Sequence, residues 1–208
     1  MRNAIRYIIS KYGGKVINRI EMEKVMKKFS SKVENTINFM ISYGYLVRIL
    51  RGLYYVKTVE EFKLKKSPDI YEILSLGMNK LRVKWYFGLY TALRLNGLTH
   101  EYFDTIFIIN DKIFRAKEIK VMGEKVKFIK LKPKLLSFGI KNDKIPFSDI
   151  EKTLLDFTYI FRYRSVPEEK ILSFIEEYKD KMNKKRLIKY MKFYPKSIRK
   201  MMEDAKLI

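Results

Sequence analysis

The chain has no cysteine, no glutamine and a single histidine, His100. Without cysteine there can be no disulfide, no thiolate nucleophile and no Cys-ligated zinc, and one imidazole leaves little room for metallohydrolase or triad chemistry. His100 itself follows Leu98-Thr99 behind the stop at Gly97, the place of a turn residue rather than a catalyst. No metal, no cofactor and no enzymatic activity are expected. A phosphate-binding loop is missing as well, because Gly14-Lys15 lacks both the earlier glycine and a following Ser or Thr. Long apolar runs are scarce. The longest, Trp85 to Leu93, is too short to span a bilayer, and the opening Met1 to Arg6 has no apolar stretch to serve as a signal peptide. A cytoplasmic protein without a membrane partner is expected.

Acid is also in short supply: 45 Lys and Arg stand against 23 Asp and Glu, a formal net charge of +22. Solubility asks for only a few units, so the excess points to a polyanion partner. The lack of glutamine and cysteine, with abundant Lys, Ile and Tyr, also suits a thermophile composition. Heat adaptation, however, raises Glu together with Lys, because ion-pair networks need both signs. What is plentiful is core material: 47% of residues are hydrophobic and 14% aromatic over 208 residues, enough for one large domain or two small ones. There is no internal repeat and no low-complexity tract.

Residues 1 to 57 carry three helical patterns and a hairpin. Ile5, Ile8, Ile9 and Tyr12 recur at helical spacing before Gly13-Gly14, and Met22, Val25, Met26 and Phe29 repeat it. Ser31 with Glu34 reads as a capping box that restarts the chain after a tight turn. On the helix that follows, Val33, Ile37, Met40 and Ile41 form one face and Ser31, Asn35, Asn38 and Ser42 the other, with Lys32 and Phe39 flanking. Tyr45 to Ile49 and Leu53 to Val56 read as strands turning at Arg51-Gly52. That order is the order of a winged helix-turn-helix. This stretch holds twelve bases and three acids. Lys24, Lys27, Lys28, Arg48, Arg51 and Lys57 are therefore the expected contacts to DNA phosphates, and Ser31, Lys32, Asn35 and Asn38 the expected base readers, since Asn can bond both N6 and N7 of adenine. Winged helices also serve as protein or RNA interaction modules, the competing reading of the same module.

Residues 58 to 66 read as a charged linker, with Thr58 and Glu61 as a cap. From Ser67-Pro68 a second domain is expected: a helix through Ile70, Ile73 and Leu74, another from about Trp85 to Asn96, and strands at Thr105 to Asn110, Glu118 to Met122 and Val126 to Leu131. After Ser148 with Glu151, a second capping box, comes a further helix, and three more follow Pro167. The fold class is α+β, an N-terminal winged helix-turn-helix (1–57), a linker (58–66) and a mixed α/β domain (67–208) that ends in a helical tail from about 166. Two acidic motifs need weighing. Asp149-Ile150-Glu151 imitates the magnesium-holding pair of nucleotidyltransferases, but the Gly-Ser that should precede it is absent, Gly139 being followed by Ile140, and a helix start explains both acids. Asp111 followed by Glu118-Ile119-Lys120 has the order of magnesium-dependent nucleases, but Glu168-Glu169-Lys170 matches Glu-x-Lys too, so the motif is cheap in a Lys-rich chain.

Three stretches, Gly44-Tyr45-Leu46 leading to Arg51-Gly52-Leu53-Tyr54-Tyr55, then Thr91 to Thr99, then Ser148 to Asp156, together resemble the AbiEi antitoxins of type IV toxin-antitoxin systems, over roughly residues 1 to 165. The resemblance implies a two-domain transcriptional regulator whose winged helix represses its own operon and whose second domain counteracts a nucleotidyltransferase toxin without a stable complex. It carries the basic winged-helix positions onto Lys24, Lys28, Arg48 and Arg51, and implies double-stranded promoter DNA as the partner.

Overall fold

The computed structural model describes residues 2–66, 68–99 and 103–205, so the expectations for Ser67 and His100 lie outside the described residues. The chain divides into two compact units. One runs to Arg82 and includes Lys120–Gly123, and the other comprises Val83–Ile119 and the chain from Glu124 onward. The fold is α+β. Among the described residues no helix is long and apolar enough to cross a membrane.

In the first unit α1 (Arg2–Tyr12) buries Ala4, Ile5 and Ile8 and stops at Gly13-Gly14, as its spacing predicts. A strand the periodicity does not reveal follows, β1 (Lys15–Asn18), and then α2 (Arg19–Lys28) and α3 (Val33–Ser42). Strands β2 (Leu46–Leu50) and β3 (Leu53–Val56) complete an antiparallel sheet in the order β1-β3-β2, with Val16 opposite Tyr55 and Arg48 opposite Tyr54. Ile8, Ile17, Met22, Met26, Ile37, Met40 and Val56, all within 1% of full burial, form the core between the three helices and the sheet.

The segment expected to be a linker contains a short helix, α4 (Val59–Lys63), and Thr58 and Glu61 do form its capping box. The next helix, α5 (Ile70–Lys80), belongs to the first unit rather than opening the second. The reason is steric: Gly77 leaves room for Ile49 of β2, whose Cδ1 would lie 2.9 Å from a Cβ there. Pro68 lies just before this helix, whose cap is Asp69, the acceptor for the Tyr71 N–H.

The second unit is built on five strands of a mixed six-stranded sheet, ordered β6-β7-β5-β4-β9-β8, and of β6 only Ile119 is grouped with it. The sheet's strands are β4 (Trp85–Phe87), β5 (Thr105–Asn110), β6 (Ile119–Val121), β7 (Glu124–Lys130), β8 (Ile140–Asn142) and β9 (Pro146–Ser148). The helix expected from Trp85 to Asn96 is really β4 followed by α6 (Leu89–Leu95). Three aromatics in a row suit a buried strand, and they pair antiparallel with β5 and parallel with β9. Helices α7 (Ile150–Tyr163), α8 (Glu168–Tyr178), α9 (Lys184–Met191) and α10 (Lys196–Asp204) supply the other half of the core, with Leu154, Leu155, Phe157, Ile175, Leu187, Ile198 and Met202 fully buried. The Ser148/Glu151 capping box does not form: Asp149 caps α7 by accepting from the Lys152 N–H, Ser148 bonds Thr153, and Glu151 accepts from the Asn183 N–H.

Candidate nucleic-acid interface

Helix α2 begins at a capping box formed by Asn18 and Glu21, thirteen residues ahead of the expected Ser31/Glu34 box. The Asn18 side chain accepts from Glu21 N–H, and Glu21 accepts from Asn18 N–H, both at 2.9 Å. Burial alone would raise the Glu21 carboxyl, but the Asn18 N–H, Lys80 and Lys24 outweigh it and hold the group below its ordinary value. Lys80 of α5 donates to it at 2.6 Å, which ties α2 to α5. With Met22, Val25 and Met26 buried, Lys24, Lys27 and Lys28 are left exposed.

The turn into α3 passes through Ser30, in the left-handed region at φ 48°. Ser31 is half-buried and spends its hydroxyl on the Phe29 carbonyl, so it caps nothing, and Lys32 occupies the cap position without a side-chain bond. The expected Ser31/Glu34 box is thus replaced by an ion pair. Glu34 reaches Arg19 Nη1 at 2.5 Å, while Arg19 Nε also holds Glu23 at 2.9 Å. A guanidinium offers two N–H edges at once, which a serine N–H cannot match.

Along α3 Ile37 and Met40 of the apolar side are buried and Val33 and Ile41 half-buried, and Lys32, Asn35 and Asn38 are exposed together on the opposite side with Ser42. Phe39 is half-buried against the core and stacks on Tyr43 at 4.2 Å between ring centroids, so its ring serves packing. At the hairpin, Arg48 is exposed with its guanidinium 5.9 Å from the Tyr54 ring centroid. Arg51 is exposed at the turn, Gly52 adopts φ +80°, and Lys57 is half-buried. Gly52 accepts from the Arg19 N–H at 2.8 Å. Arg19 therefore joins three pieces, the hairpin turn through its backbone and the first turns of α2 and α3 through its side chain. Neither Arg19 nor Glu34 was expected to play this part, since the Arg19–Glu23 spacing is visible in sequence but the bridge to α3 is not. Between α2 and α3 lies an open cleft of about 350 Å³ lined by Arg19, Lys27, Ser31 and Lys32.

Asp111 accepts from the Lys84 N–H, Glu118 precedes β6 rather than lying within it, and Lys120 is exposed on the strand. Among the described residues no three His, Cys, Asp or Glu side chains are placed to hold a metal ion. Asp149 and Glu151 are buried. Burial raises the Asp149 carboxyl above its ordinary value, with Glu151 adding to the effect, although the Lys152 N–H, the Tyr190 hydroxyl and Arg186 pull the other way. With Tyr190 bonded to Asp149 and Asn183 to Glu151, both acids fasten α7 to the segment that forms α9.

No family model matches the chain, and no curated protein matches it in sequence. Among solved structures, the RV2827C protein from Mycobacterium tuberculosis is similar over 98% of this chain and 75% of its own, with a TM-score of 0.57 at 12% identity. At that identity the likeness concerns the fold alone.

Proposed function

We propose that this chain is a non-enzymatic regulator that binds double-stranded DNA, with its first unit acting as a winged helix-turn-helix. In this reading α3 lies in the major groove, Lys32, Asn35 and Asn38 meet base edges, and Arg48, Arg51, Lys24, Lys27 and Lys28 meet phosphates. Ser31 positions the turn and Lys57 stands beside the wing. One observation carries the reading: Lys32, Asn35, Asn38 and Ser42 are exposed together along one side of α3, while the same helix buries Ile37 and Met40 behind them. The Arg19 bridge strengthens it, because the helix and the wing turn are held by one residue and can meet a duplex as a unit. By its sequence motifs the chain further acts in the manner of AbiEi antitoxins, repressing its own operon and opposing a nucleotidyltransferase toxin with which it forms no lasting complex.

The phosphate contacts are tested by salt. Binding of a duplex, followed by fluorescence anisotropy across a salt series, should lose about 0.9 unit of log–log slope for each phosphate contact removed. Arg48→Ala with Arg51→Ala should therefore flatten the slope by about two units and weaken binding to every sequence alike. An unchanged slope would remove the wing from the interface.

A further inference from the structure

The loop that follows β5 carries cations and an aromatic ring for which duplex binding by the first unit has no use. From Lys112 to Lys117 three of six residues are cationic and none is acidic. Lys112, Phe114, Arg115 and Lys117 are all exposed, and Phe114 as a residue keeps 68% of its surface in solvent. Apolar surface in water is unfavourable, and a slack loop would fold such a ring away.

This loop is not slack. Asn110, wholly buried at the end of β5, accepts from the N–H groups of Lys112 and Ile113 and donates to the carbonyls of Ile113 and Ile129. Lys127 of β7 donates to the Ala116 carbonyl at 2.6 Å, and Asp111 accepts from Lys84 N–H. The loop is thus pinned at its start and near its end, and the ring is held outward between cations. Lys130, the register partner of Asn110, adds an exposed charge at its base.

We propose that this loop is a binding site for single-stranded nucleic acid, with Phe114 stacking on a base and Lys112, Arg115 and Lys117 meeting the phosphates on either side. A duplex offers such a loop phosphates only, since paired bases keep their π-faces within the stack. An unpaired strand offers both the face and the charge. Pre-organisation by Asn110 lets the ring bind without a further ordering cost. The site does not depend on the role given to α3.

The test uses the full chain with labelled oligouridylate and oligothymidylate of about twelve nucleotides, within the range such sites occupy. Phe114→Ala should weaken both by roughly tenfold, the loss of one base stack, and leave binding of inorganic polyphosphate unchanged. Phe114→Trp should keep the affinity, and its indole emission should fall as oligonucleotide is added, beyond any change of Trp85 seen in the same titration of the parent chain. Oligodeoxyuridylate, which differs from the uridylate only in lacking the 2′-OH, assigns the sugar: tighter binding of the uridylate identifies RNA as the natural strand, and tighter binding of the deoxyuridylate identifies unpaired DNA. Oligonucleotide affinities of Phe114→Ala within about twofold of the parent, or an equal loss for polyphosphate, would overturn the proposal.

Discussion

Replacing Asp156 by Ala is expected to lower the unfolding free energy by about 3–5 kcal/mol. Lys152 and Asp156, one turn apart on α7, are both fully buried, and their charged atoms lie 2.6 Å apart. Tyr194 and Tyr86 each donate to the same carboxylate at 2.6 Å, and the ammonium also donates to the Tyr194 hydroxyl at 2.8 Å. The rings of Phe138, Tyr86 and Tyr194 surround it at 5.0, 5.1 and 5.4 Å. Without Asp156 a buried cation and two phenols lose their acceptor together.

The loss should depend on pH in a definite sense. Burial already lowers the Lys152 pKa while Asp156 raises it, so the variant's lysine falls further below 10.5 in the folded state. Between that lowered value and 10.5 the unfolded chain binds more protons, and stability therefore rises with pH. The deficit of Asp156→Ala should shrink from neutral pH towards pH 10. Urea denaturation read from Trp85, the single tryptophan and a residue of β4 in the same unit, measures both effects. A loss under about 1 kcal/mol would mean that water reaches the site.

The second large effect is expected at α3. Changing Lys32, Asn35 and Asn38 together to Ala should abolish preference for the chosen operator and leave general duplex affinity in place. Each bidentate Asn–adenine pair discriminates by about 1–3 kcal/mol, so losing two costs at least roughly thirtyfold in the ratio of specific to scrambled binding. All three side chains are exposed, so the fold should be kept; Thr36, buried on the same helix and bonded to the Lys32 carbonyl, must be left alone. Selection from a random duplex pool, then anisotropy on the winner and its scrambled form, reads the ratio. Preference retained by the triple variant would reject α3 as the reading element.

The parts of the fold that sequence showed were those with a full period behind them. Ile5, Ile8 and Tyr12 announce α1, and Asn35 with Asn38 opposite Ile37 and Met40 announces the outward face of α3. β1 stayed hidden because four residues hold too little alternation, and Lys15–Asn18 becomes a strand only by pairing with β3. Trp85–Phe87 read as helix because an apolar run of that length has no period of its own, and its partners lie in β5 and β9. The Ser31/Glu34 box legible in the sequence does not close, because Arg19 takes Glu34 and Ser31 bonds the Phe29 carbonyl, both contacts made outside the box itself. The burial of Lys152 has no local signal, since it depends on Tyr86 and on Tyr194 from the far end of the chain.

The account stands on the exposed side of α3 being the surface that DNA touches. Titrating the isotope-labelled chain with its selected duplex and following backbone and Asn side-chain amide NMR signals tests this directly. The largest shifts are expected at Lys32, Asn35 and Asn38, with a second group at Arg48 and Arg51 and little change along β8 and β9. Saturation of the duplex with the α3 signals unmoved would contradict it.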